Sequence, residues 1–231
     1  MADIVINGAE YKDVPSIEVP SSDGGTVSFQ SQDLLNGIIG RTLAGAFEIT
    51  AKIVGAYAFA SSLLEEVSIP NLINIEGYYP IGNYAFLNCS SLIKASSNCT
   101  KVGYGTFQSC VSLSDCNFPN LKYIDYFSFF GCSKLTKFDC RYLISMGAYS
   151  FQNSGIKTLM IRSESVPTLA SSDSFANTPV ASGTGYIYVP SALVDSYKTA
   201  TNWSVYASQF RALEDYTVDG TITGELDESK I

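Results

Sequence analysis

A phenylalanine returns at near-constant intervals through the middle of this 231-residue chain, and that return limits what the chain can fold into. The anchoring residues Phe59, Phe86, Phe107, Phe129 and Phe151 are separated by 27, 21, 22 and 22 positions, and a degenerate sixth copy carries Phe175. Each of the five follows an apolar anchor by five positions, with a small residue just before it, as in Val54-Gly55-Ala56-Tyr57-Ala58-Phe59 and Ile81-Gly82-Asn83-Tyr84-Ala85-Phe86. That spacing predicts one short helical turn or tight arc. Three residues on stands Ser62, Cys89, Cys110, Cys132 or Ser154, and next a leucine-like anchor, Leu64, Leu92, Leu113, Leu135 or Ile156.

A period-2 tract follows each anchor, such as Val67-Ser68-Ile69-Pro70 or Phe138-Asp139-Cys140-Arg141. Alternation of this kind predicts a strand with one buried face, and a proline after it supplies no ladder donor and ends it. The unit is therefore a short helical arc, a turn, a strand and a return. One unit of this length cannot cover its own apolar face, whereas stacked units share a core. The expected fold is an α/β repeat solenoid whose strands form a short parallel ladder at about 4.8 Å spacing along one side. Insertions fall in turns, most clearly Glu76-Gly77-Tyr78-Tyr79-Pro80. The second copy carries the small residues Ala95 and Ser97 in its strand, with Asn98 in place of proline, and is expected to pack loosely.

The same alignment explains the cysteines. Cys89, Cys110 and Cys132 share one repeat position, Cys116 and Cys140 stand at inward strand positions, and Cys99 replaces Leu72, Leu121 and Leu143. All six are read as small buried hydrophobes rather than disulfide or metal ligands. No C-x-x-C pair occurs, and the chain has no histidine.

The pattern I-G-x-Y-A-F-x-x-C-x-x-L-x-x-I-x-I-P resembles the BspA-type, or Treponema pallidum-type, leucine-rich repeat found in many bacterial surface proteins, over about residues 54–190. The resemblance implies a leucine-rich-repeat array of about six copies that presents a binding or adhesion surface, without catalysis or cofactor. Residues 188–206 are similar to the terminal element that often closes such arrays, so 191–213 are expected to form a helical cap, with Trp203 a cap residue in preference to an aromatic ligand site. Residues 1–53 are expected to form a β-rich cap or docking segment, including a helical turn at Asp33-Leu34-Leu35 and an irregular first rung at residues 45–49. Residues 214–231 are expected to form an acidic hairpin tail turning at Asp219-Gly220. Ile6-Asn7-Gly8-Ala9-Glu10 through Pro15, with Gly24-Gly25-Thr26-Val27-Ser28-Phe29, is similar to openings of phage and prophage structural proteins of gut bacteria.

Composition excludes several functions. Without histidine the usual base of Ser-His-Asp and Cys-His sites is missing, no Walker A motif occurs, and Glu65-Glu66 and Asp227-Glu228 read as solvated surface. A net charge of −8 argues against nucleic acid as a partner, and no apolar run is long enough to span a membrane. No basic, apolar leader opens the sequence.

Two outward sets remain as a candidate binding surface. Tyr57, Tyr84, Phe127 and Tyr149 share a repeat position, with Tyr104 and Tyr126 beside it; they read as stacking between rungs or as a platform for sugar rings or a protein. The strand face offers Glu66, Lys94, Asp115, Asn117, Lys137 and Asp139, with Thr158, Ser68, Ser96 and Met160. Two functions compete. The first is a phage or prophage virion component, in a tail or on the particle surface, assembled in the host cytoplasm, whose partners are protein subunits or a host-surface glycan or protein. The second is an adhesion module on the bacterial cell surface.

Overall fold

The computed structural model describes residues 54–72 and 79–216 continuously, together with five earlier strands: β1 Ile4–Ile6, β2 Ala9–Tyr11, β3 Ser16–Pro20, β4 Thr26–Gln30 and β5 Ala44–Ile49. The expected turn at Asp33-Leu34-Leu35, residues 76–78 of the insertion at 76–80 and the tail hairpin at 217–231 lie outside these residues. A column of phenylalanine rings runs through the repeat. Phe59, Phe86, Phe107, Phe129, Phe151 and Phe175 stack with centroids 5.2–5.8 Å apart and planes tilted by 4–13°. Beyond area burial, each such aromatic pair contributes about 0.5–1.5 kcal/mol.

The arc that carries these rings is a run of tight turns, the second of the two forms its spacing allows. Two positions per copy take the left-handed conformation. One lies two residues before the Phe (Tyr57 φ 56°, Tyr84 58°, Gly105 57°, Phe127 57°, Tyr149 60°) and the other two after it (Asn88 57°, Ser109 60°, Gly131 73°, Asn153 59°). No α-helix accommodates that alternation. It divides the backbone donors between two uses. Ala85, Leu87 and Cys89 N–H donate three residues back, to Gly82, Tyr84 and Phe86. Tyr84, Phe86 and Asn88 N–H donate instead to the next rung, to Tyr104, Thr106 and Gln108, at 2.8–2.9 Å. The pattern recurs from copy to copy and ties the arcs into a ladder of their own.

Two further ladders close the rung. Strands β6 Leu63–Ile69, β7 Lys94–Ser97 and β9 Asp115–Asn117 pair in parallel, as do β11 Lys137–Cys140, β13 Thr158–Ile161 and β15 Tyr186–Val189. On the return, the two-residue strands β8 Lys101–Val102, β10 Tyr123–Ile124, β12 Ser145–Met146 and β14 Thr168–Leu169 form a second parallel sheet. At the amino end β5 pairs in parallel with β6, shifting register at Gly45/Ala46, while β1 lies antiparallel to β5 and β2 to β1. The hairpin β3–β4 forms a sheet of its own.

The strand ladder is not the single sheet expected, because β9 and β11 belong to different sheets. At that step the inward side chains exchange size: Cys116 and Phe118 in one copy meet Phe138 and Cys140 in the next. The Phe138 ring packs 4.9 Å from Phe129 and 5.2 Å from Phe151, and Phe118 packs 5.8 Å from Phe107. Large beside small at both positions keeps the core filled while the two backbones part. The second copy is not left open either: Ala95, Ser97 and Cys99 are all buried, and the Ser97 hydroxyl accepts from Cys99 N–H at 3.1 Å.

All six cysteines are free thiols. Cys89, Cys110 and Cys132 each donate to the carbonyl of the preceding copy's phenylalanine, Phe59, Phe86 and Phe107, at 3.1 Å. One residue before the Phe, Thr106, Ser128 and Ser174 bond the carbonyl three back and also one in the preceding rung. Burial pushes the Cys99 and Cys132 thiols up to about 12, and Cys110, Cys116 and Cys140 well above the ordinary thiol range.

After the last rung the chain turns through Ser191–Leu193, a short helix α1 Val194–Thr199 and a 3-10 segment Ser204–Gln209, then enters strand β16 Phe210–Ala212, parallel to β15. Trp203 meets the end of the phenylalanine column at Phe175, 6.0 Å away, and its indole N–H donates to Pro167 O at 2.7 Å. Asn202 donates to Leu169 O at 2.8 Å, and the Tyr206 hydroxyl to Ser172 O. In the rung before, the carbonyls matching Pro167 and Leu169 are Ile144 and Met146, which take N–H groups from Thr168 and Ala170. Cap side chains thus replace the donors a seventh rung would bring.

Replacing Phe107 with Ala removes the ring between Phe86 and Phe129 and should cost about 3–5 kcal/mol in urea unfolding. Deleting residues 102–123, one whole copy, should leave a folded and shorter protein with a sigmoidal melt. Equal loss from both changes would contradict a stacked array. The thiols set a pH dependence. The folded state keeps protons that the unfolded chain releases from about pH 8.5, so their stabilisation is complete below that pH and is lost as pH rises toward 12. Each of these five raised thiols costs about 2 kcal/mol by pH 10, whereas Cys89, lowered by its hydrogen bond with Cys110, does not contribute. Urea midpoints should be level from pH 6.5 to 8 and fall steadily from 9 to 11; a level curve throughout would contradict this account.

Candidate functional site

The two candidate sets lie on opposite sides of the core. Arc phenylalanines meet strand phenylalanines across the interior, Phe107 with Phe118 and Phe129 with Phe138. Side chains pointing outward from the arc and from the strand therefore face away from each other, and no single site unites them.

On the arc side the aromatic residues form a continuous outer stack. Tyr57 lies 4.9 Å from Tyr84, Tyr84 5.2 Å from Tyr104, Tyr104 5.4 Å from Phe127 and Phe127 5.0 Å from Tyr149. The third copy places its aromatic one residue early, at Tyr104, because Gly105 holds the left-handed position; a Cβ there would sit 2.5 Å from the Tyr84 ring. Tyr57, in the first rung, and Tyr126, beside Tyr104, are 47% and 44% exposed, whereas Tyr84, Tyr104, Phe127 and Tyr149 are half-buried by their neighbours. Stacking between rungs thus accounts for most of this set.

On the strand side, parallel register sorts the outward residues into two rows. Glu66, Lys94 and Asp115 are neighbours in one, which resumes beyond the strand break as Lys137, Thr158 and Tyr186. The other runs Glu48, Ser68, Ser96, Asn117 and then Asp139, Met160, Tyr188, Arg211. Signs alternate along the first row, and Lys94 approaches Asp115 at 3.9 Å, an exposed pair worth about 0–1 kcal/mol. Asp139 takes a bidentate contact from Arg162 at 3.0–3.1 Å. Met160, expected on the exposed face, is 2% exposed, with its sulfur 3.7 Å from Arg162 Nη2. A shallow depression of about 330 Å³ marks the amino end of this face, lined by Glu48, Glu66, Ser68, Lys94 and Ser96.

The carboxyl end has a different character, which sequence reasoning missed. Tyr188 packs edge-on against Tyr216 at 5.1 Å and Tyr186 at 6.4 Å, Arg211 lies over Tyr186 at 4.4 Å, and Lys137 over Tyr216 at 5.2 Å. Burial raises the Tyr188 hydroxyl above the usual tyrosine range, and the Tyr216 ring adds to it. Tyr188 was visible in the sequence as part of a strand. Arg211 and Tyr216 were not, because they reach this face only through the pairing of β16 after the cap.

Among the described residues no group of three cysteines and carboxylates is placed to hold a metal ion, and no helix is long and apolar enough to cross a membrane. A search of curated proteins finds no significant match. Among solved structures, a leucine-rich repeat protein from Bacteroides ovatus is similar at 21% identity and a TM-score of 0.46, over 60% of this chain and 41% of that one. This chain thus spans less than half the length of that protein. Residues 52–180, more than half of the chain, match the BspA type leucine rich repeat region in six copies, and the chain belongs to that family.

Proposed function

We propose that this chain is a non-catalytic recognition and adhesion module whose working surface is the outward strand face. The observation that carries this reading is the pair of outward rows, which a parallel ladder holds in register on each side of the β9/β11 step while, among the described residues, every large side chain beneath is buried. Such a surface binds without first paying to order itself. Leucine-rich repeats as a class serve protein–protein interaction, and family membership supports that reading. The arc side supports it by contrast, since its aromatics are largely consumed by stacking on each other.

Display on a phage or prophage particle is the finer reading, drawn from the likeness of residues 6–15 and 24–29 to openings of such proteins; display on a bacterial cell is the other. The partner is then a host-surface glycan or protein, and the segments 1–53 and 214–231 attach the array to neighbouring subunits. Charge is consistent with such a division. Residues 51–213 carry 11 Lys and Arg against 9 Asp and Glu, while 1–50 carry 2 against 7 and 214–231 carry 1 against 6. The acidity that argues against nucleic acid thus belongs to the flanks.

Lys94→Ala with Asp115→Ala should lower adsorption to the host surface at least tenfold while leaving the melting temperature within a few degrees. Tyr57→Ala, at the exposed end of the arc stack, should leave adsorption unchanged. The reverse result would move the working surface to the arc side. Deleting residues 1–30 should abolish incorporation into the particle or cell envelope and leave binding by the isolated protein intact, and antibody labelling of virions and of cells distinguishes the two sites of display.

A further inference from the structure

The carboxyl end of the strand face holds a cationic receptor that the rest of the face lacks. Arg211 is fixed on one edge. Its Nη1 donates to the carbonyls of Ser208 at 3.0 Å and Phe210 at 2.7 Å, and its plane is held over the Tyr186 ring at 4.4 Å. Among the described residues nothing accepts from its Nε and Nη2, so the edge of the guanidinium that grips a carboxylate with two parallel bonds stands open. Contrast Arg162, whose same edge is already filled by Asp139.

Lys137 is the second post. It stands on β11, in the same row as Thr158 and Tyr186, and no described carboxylate pairs with it. Arg211 lies on β16, three strands away and two residues further along, so the Cα atoms of the two posts are about 16 Å apart. Between them the floor is Tyr186, Tyr188, Tyr216 and Thr158, with Tyr186 37% exposed; Arg211 covers one face of Tyr186 and Lys137 one face of Tyr216, which leaves the remaining faces, ring edges and hydroxyls. Between the posts the backbone is engaged in the ladder β11–β13–β15–β16, so an extended peptide lying across the floor finds no strand to pair with there; the outer edges of β11 and β16 lie beyond the posts. Flat C–H faces packing on tyrosine, hydroxyls meeting hydroxyls, and carboxylates at the two posts describe a sugar acid polymer. Among the described residues Asp215 acts electrostatically on Tyr188, and Glu214 accepts from the Ser191 hydroxyl at 3.3 Å.

Resting on the reading of the strand face as the working surface, we infer that its carboxyl end is a binding site for hexuronic-acid oligosaccharides, with Arg211 and Lys137 taking the carboxylates and Tyr186 and Tyr188 the rings. The test is calorimetric titration of the full chain with trigalacturonic acid in about 0.15 M salt. The expected result is saturable binding that weakens at least tenfold in Arg211→Gln and at least threefold in Lys137→Gln, with Lys198→Gln on the cap unchanged. Asp215→Asn removes a neighbouring negative charge and should tighten binding. Thermal melts of every variant separate lost binding from lost fold, and Lys137→Gln, a surface change, keeps the test decisive if Arg211→Gln is unstable. No binding, equal binding of neutral galactotriose, or equal binding of a glutamate oligopeptide would each overturn the proposal. If trigalacturonic acid fails while the Lys94 and Asp115 double variant still loses adsorption, the sugar-acid site is wrong and the recognition face stands.

Discussion

Everything in this molecule depends on the backbone N–H groups that leave one rung to find an acceptor in the next. A copy of about 22 residues has too few partners within itself for its own donors. The left-handed residues of the arc resolve this by turning alternate N–H groups along the axis. That conformation costs a non-glycine residue roughly 1–2 kcal/mol, yet Tyr57, Tyr84, Phe127 and Tyr149 all adopt it. At Tyr57, Tyr84 and Phe127 the cost is offset because the same turn delivers an inter-rung hydrogen bond, and at all four it lays the ring on its neighbour. The outer aromatic stack is thus first a structural device, and this directs the search for a recognition surface to the strand side.

The cysteines and hydroxyls belong to the same arrangement. The thiols three residues after Phe86, Phe107 and Phe129 donate to the preceding copy's phenylalanine carbonyl, and the hydroxyls just before Phe107, Phe129 and Phe175 reach back in the same way. Alanine does fill the second position in the first two copies, at Ala58 and Ala85, so small size is the first requirement there. A weak donor that fits a buried site satisfies a carbonyl that would otherwise be partly orphaned. Terminal capping follows the same logic, with Trp203, Asn202 and Tyr206 standing in for missing backbone donors.

Much of this was legible before any coordinates. The phenylalanine spacing yields the stack, the period-2 tracts yield strands at the right residues, and the alignment places all six cysteines inward. What the sequence concealed has physical reasons. Five-residue spacing fits a helical turn and a chain of tight turns equally, because periodicity reports which side faces the core and not the sign of φ. Met160 was counted as outward because alternation cannot see Arg162 folding over it. Arg211 and Tyr216 were overlooked because they join the strand face from beyond the cap, through a pairing with no local signature. The outward strand residues Glu66, Lys94, Asp115, Asn117, Lys137 and Asp139 do fall on one face, in the rows their period implies.

The step between the third and fourth copies has a mechanical consequence. On the strand side β9 and β11 share no sheet, while on the arc side Gly105, Phe107 and Ser109 still donate across the same plane to Tyr126, Ser128 and Phe130, and β8 still pairs with β10. The three edges of the solenoid are therefore unequally stiff at that one level. A load that opens the strand side there breaks no ladder bond, whereas one that opens the arc side must break several. The array behaves less like a uniform rod than like two stiff segments on a living hinge, free to flex in one direction when a bound surface pulls on its face.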